Sequence, residues 1–134
     1  GQQLISVAQK MGATVKPYLA PNSILLALMA SGLNGQDFHF HGYLPIDTSD
    51  RKKKIQHLLS EVTAHQSTQI FIETPYRNNQ MLSSLLAICP SHIKICIGLN
   101  ITGPNEQIIT KTVKDWKSSV PDLHKQLVIF LIGI

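Results

Sequence analysis

The chain has 134 residues, 43% of them hydrophobic and 15% charged, with a formal net charge of +4. That balance excludes the disordered class, and the length fits one domain able to bury roughly two thirds of its unfolded surface. The apolar run at 23–30 is far too short to cross a bilayer, and Cys89 and Cys96, without zinc-type spacing or a secretory signal sequence, read as reduced, buried thiols in a cytoplasmic protein.

In chain order, "QQLISVAQKMG" places Leu4, Ile5 and Ala8 on one face and stops at Gly12, which predicts a short helix. "ATVKPYL" reads as a strand. "APNSILLALMASGL" reads as a helix with Asn22 or Ser23 as N-cap and Gly32 as C-cap. That helix is apolar on every side, so it is expected to be buried all round. "DFHFHGYL" alternates as a strand does, and "DTSDRKKKIQHLLSEVTAHQ" predicts a longer helix with Ile55, Leu58, Leu59 and Val62 on its inner face. Then follow "TQIFIE" as strand, "PYRNNQMLSSLLAIC" as helix, "HIKICIGL" and "EQIITKTV" as strands, "KDWKSS" as a helical turn and "KQLVIFLIG" as a last strand. Strands separated by helical patterns predict an α/β fold, a mixed sheet flanked by helices. The low charge fraction also fits a surface covered by another domain.

The successive apolar residues Ile70, Phe71 and Ile72 in "QIFI" suit a central strand buried on both faces. Pro75 cannot continue it but fits the first turn of a helix, with Thr74 as the N-cap. Glu73 is thereby expected at the carboxyl end of a strand beside a helix start, where open α/β sheets bind ligands. Arg77 stands four residues further on, so the two can pair with each other or line a site.

Arg51, Lys52, Lys53 and Lys54 hold four of the twelve basic residues and open a helix, where the macrodipole disfavours cations by a few tenths of a kcal/mol each. Such a run fits either an external phosphate or a solvated helix end. In "APNS", Pro21 precedes a helix whose first N–H groups are open to a polar group unless Asn22 and Ser23 cap them. His39 and His41 share a strand face but have no third partner with metal spacing, so no metal site is expected.

Two segments carry a resemblance. "IFIETPYRNNQML" is similar to the Phe-Tyr-Glu-Ser-Pro-His-Arg segment of the S-adenosylmethionine-dependent methyltransferases that modify a ribose 2'-hydroxyl in small-subunit ribosomal RNA, members of the tetrapyrrole-methylase superfamily. Upstream, "GATVKPYLAPNSILLALMASGLNGQDFHFHGYLPIDTSDRKKKI" resembles the same family's proline-rich turn, small-residue helix, Gly-Phe-Leu-Pro strand end and basic helix start. The resemblance covers nearly the whole chain. It implies the C-terminal domain of such an enzyme at 20–134, the last helix and strand of a first domain at 1–19, and glycine-rich cofactor loops in a first domain that this chain lacks. It further implies S-adenosylmethionine as cofactor, held in part by Pro21, Asn22, Ser23, Ile24 and Ile72. Glu73 and Arg77 would serve the chemistry, Arg51 to Lys54 would meet ribosomal RNA or the small subunit, and the protein would be a homodimer. Where the family carries Arg-Glu-Leu-Thr-Lys, this chain has "LNITG" with only Thr102 kept, which marks a divergent branch. A small-molecule tetrapyrrole methyltransferase and a non-catalytic RNA-binding module stand as the other readings.

Overall fold

The computed structural model describes residues 2–14 and 22–134. Helix α1 (Gln2–Lys10) comes first, and none of its residues is buried. The strand expected at 13–19 falls mostly outside the described residues, as does Pro21. From residue 22 the elements alternate: α2 (Ser23–Ser31), β1 (Phe38–Tyr43), α3 (Thr48–His65), β2 (Thr68–Ile72), a 3-10 turn (Pro75–Arg77), α4 (Asn78–Ile88), β3 (Lys94–Leu99), β4 (Gln107–Thr112), α5 (Val113–Ser118) and β5 (Val128–Gly133).

The five strands form one mixed sheet in the order β1-β2-β5-β3-β4. β1 and β2 run parallel, while β5 is antiparallel to both β2 and β3. β1, β2 and β3 therefore point the same way, and their carboxyl ends share one edge of the sheet. The apolar runs in β2 and β5 reflect burial on both faces, with alternate side chains going to opposite sides. Phe71 stacks on Phe130, its direct register partner, at 5.7 Å between centroids, within the larger core under α3, α4 and α5. Ile70, Ile129 and Leu131 face the other way, against Ala27 and Leu28 of α2.

α2 is capped as its sequence requires. Asn22 Oδ1 accepts from the N–H groups of Ile24 and Leu25 at 3.0 and 3.2 Å, and Gly32 ends the helix at φ +75°, a conformation costly for any other residue. Thr110 Oγ1 donates to Ser31 O at 2.7 Å and ties the helix end to β4. Among the described residues only one side of α2 is covered, by the sheet: Leu25 is 43% and Met29 80% exposed.

Cys89 and Cys96 are buried and unpaired, and burial pushes the Cys89 thiol up to about 12, so neither offers a thiolate near neutral pH. Trp116 is buried with its indole N–H donating to Ile95 O at 2.8 Å. No helix among the described residues is long and apolar enough to cross a membrane.

Candidate functional site

Three strand ends converge with the start of α2 on a crevice of about 270 Å³. Tyr43 closes β1, Ile72 and Glu73 close β2, and Ile101 follows β3, while Leu127, Val128 and Ile129 enter from β5 and Ser23 from α2. The register makes this convergence: Tyr43 pairs with Ile72, Ile72 with Ile129, and Leu99 with Val128. Most of the wall is apolar, and Glu73 is its carboxylate.

Ile101 is presented by a tight turn in which Asn100 and Thr102 both hold positive φ, at 49° and 69°. For a β-branched residue such as Thr102 that conformation is strained, and Glu106 Oε1 supports it by accepting from Thr102 N–H at 3.0 Å. Gly98 makes room beneath: a Cβ there would lie 3.1 Å from Ile101 Cδ1.

Glu73 is the unusual group. Its side chain is 2% exposed, Oε1 accepts from Thr74 N–H at 2.7 Å and from Arg77 Nε at 3.3 Å, and Oε2 is buried with no hydrogen-bond partner among the described residues. A buried carboxylate oxygen without a donor is costly; Asn78 Oδ1 is the other buried side-chain oxygen without a partner among the described residues. Thr74 holds the expected N-cap position, its carbonyl accepting from Arg77 N–H at 2.9 Å, although its side chain makes no cap hydrogen bond; the chain turns through Pro75–Arg77 and α4 begins only at Asn78. Glu73 also borders a second cleft, shared with Tyr43, Ile46 and Arg77.

The other sequence-predicted site residues divide. Ser23 and Ile72 border the crevice beside Glu73, whereas Asn22 is engaged as a cap and Ile24 packs against the smaller core. The N–H groups of Ile24 and Leu25 are thus occupied by Asn22. Lys52 and Lys53 are exposed and Lys54 is half-buried on the second turn of α3, while Arg51 is buried, so the four do not form one continuous face. His41 Nε2 lies 2.6 Å from Gln69 Oε1, and desolvation holds its pKa below the ordinary histidine value. No group of three metal-ligating side chains occurs among the described residues.

Sequence reading missed Asn78. It is fully buried, and its amide donates to Leu123 O at 3.2 Å and Gln126 O at 2.7 Å, holding the loop that leads into Leu127 and Val128 of the crevice.

The mixed five-stranded sheet flanked by helices resembles the fold of tetrapyrrole methyltransferases. Two solved structures share it: the methyltransferase CobJ, with a TM-score of 0.57 at 17% identity over 98% of this chain and 56% of that one, and the cobalamin biosynthetic cobalt precorrin-4 methyltransferase CbiF, with a TM-score of 0.56 at 13% identity over 98% of this chain and 57% of that one. No protein-family model matches the chain. The ribosomal RNA small subunit methyltransferase I of Halalkalibacterium halodurans is 33% identical over 116 residues, which cover 86% of this chain and 38% of that protein. The chain belongs to this methyltransferase family and spans less than two fifths of that relative's length.

Proposed function

We propose that this chain is the C-terminal part of a methyltransferase that uses S-adenosylmethionine to methylate a ribose 2'-hydroxyl of small-subunit ribosomal RNA. The observation that carries the reading is Glu73, whose buried Oε2 has no partner among the described residues and stands at a largely apolar crevice. Ser23, the apolar side chains of Ile72, Ile101 and Ile129, and a carboxylate acceptor suit a ligand with an apolar body and polar hydrogens, so the residues present fit the cofactor. S-adenosylmethionine supplies an electrophilic methyl group on a sulfonium centre. The chain's own side chains exclude water from that region, and Glu73 Oε2 accepts a hydrogen bond from a bound hydroxyl or ammonium group while Arg77 and the Thr74 amide hold Oε1 in place.

In this proposal residues 1–19 are the end of a preceding domain and 20–134 a second one, and the remaining cofactor contacts come from the preceding domain. Lys52, Lys53 and Lys54 meet RNA phosphates, and two copies associate through apolar surface such as Leu25 and Met29, which no described residue covers. An RNA substrate places the protein in the cytoplasm. The test is transfer of labelled methyl from S-adenosylmethionine by the intact protein. Label is expected in small-subunit ribosomal RNA at a ribose. Label in a tetrapyrrole instead of RNA, or no transfer to either, would contradict the reading.

A further inference from the structure

Arg51 is only 7% exposed, a rare state for a guanidinium, which remains charged at every physiological pH. Its place follows from helix periodicity: Arg51, Ile55, Leu58 and Val62 form the buried stripe of α3. The ion pairs among the described residues join Glu61 to His57 and His65, and Glu73 to Arg77, so Arg51 belongs to none. Its backbone N–H donates to Asp47 O at 2.8 Å, but its guanidinium has no acceptor among the described residues. Asp47 and Asp50 are exposed, and Asp47 Oδ2 is engaged by the Asp50 amide.

Arg51 faces an open depression walled by Thr48, Gln80, Ser83 and Ser84, with no acidic side chain. Thr48 opens α3 and Gln80 lies in the first turn of α4, so two helix starts add positive potential to the guanidinium. A guanidinium with no acceptor among the described residues, on a buried stem and opening onto hydroxyl and amide groups, is the chemistry of a phosphate site. Ile46 borders both this depression and the cleft containing Tyr43, Glu73 and Arg77. The two clefts are thus neighbours, with Ile46 as their shared wall.

We infer that the Arg51 depression binds a backbone phosphate of the RNA acceptor strand; the inference rests on the RNA reading above. The exposed lysines that follow contribute diffuse attraction, whereas Arg51 fixes one phosphodiester in register with the crevice.

The experiment titrates the isotope-labelled intact protein with a short oligoribonucleotide and, separately, with inorganic phosphate. The oligoribonucleotide is expected to shift the Arg51 side-chain N–H resonance. Arg51→Gln is expected to weaken oligoribonucleotide binding by about ten- to a hundredfold, the loss of one charge-assisted contact, and to lower the log-log salt slope by about 0.7 to 0.9 unit. A shift with inorganic phosphate but not with the oligoribonucleotide would mark a free-anion site and overturn the inference. So would an unchanged salt slope in Arg51→Gln alongside a reduced one in Lys52→Gln. If Arg51→Gln does not fold, the wild-type Arg51 resonance decides. An Arg51 shift without methyl transfer to RNA would leave the phosphate site standing and remove the proposed reaction.

Discussion

Glu73→Gln is expected to lower methyl transfer by the intact protein about a hundredfold while leaving its melting temperature nearly unchanged. The amide oxygen of Gln still accepts the Thr74 N–H that Glu73 accepts at 2.7 Å, so the turn into Pro75 persists. The charge lost is one whose partner, Arg77, is 36% exposed, so the pair contributes about 0 to 1 kcal/mol after solvent screening. Removing a carboxylate that is 2% exposed also relieves desolvation, which offsets part of that loss. Activity responds differently, because a reactant displaced by about 1 Å can lose on the order of a hundredfold in rate. Arg77→Ala is the counterpart. It leaves the buried carboxylate with the Thr74 amide alone and is expected to cost about 1 to 3 kcal/mol in stability as well as activity. Equal melting temperatures and undiminished transfer in both variants would reduce the segment to a structural helix entry.

Asn78→Ala is expected to destabilise the protein by about 2 to 4 kcal/mol, because it deletes one buried and one part-buried hydrogen bond and leaves the carbonyls of Leu123 and Gln126 without that donor. In a domain of this size the loss corresponds to a fall of roughly 10 °C in melting temperature. Asn78 lies 0% exposed between α4 and the 123–126 loop, so water cannot replace the amide without repacking. Asn79→Ala, exposed beside it and bonded to Asp122 and the Leu123 amide, is expected to cost only about 1 kcal/mol. Differential scanning calorimetry reads both, and equal stability of Asn78→Ala and wild type would contradict the anchoring role.

The strands and helices of the described residues were legible because each carries a local signal of its own. Three successive apolar residues, Ile70 to Ile72, marked a strand covered on both faces, and Asn22 and Gly32 bracketed α2. Glu73 could be placed at a strand end because Pro75 cannot continue the ladder. The failures share a physical cause: periodicity read from apolar residues alone overlooks polar ones on the same stripe. Arg51 stands four residues before Ile55, and Asn78 three and four before Met81 and Leu82, so helical spacing already assigned both to the interior. The Glu73–Arg77 pair was legible as a pair, but the near-complete burial of its carboxylate was not, since that comes from β5 and the β1 end packing around it. For α2, an apolar composition does not say which neighbour covers each side.

The measurement that tests the crevice most directly is calorimetric titration of S-adenosylmethionine into the intact protein and into Ser23→Trp. Ser23 is an exposed residue at the start of α2 whose side chain borders the crevice, so an indole there fills the space without disturbing the core. The account predicts saturable binding by the wild-type protein and its loss in Ser23→Trp at an unchanged melting temperature. Equal affinity in the two proteins would place the cofactor elsewhere and contradict it.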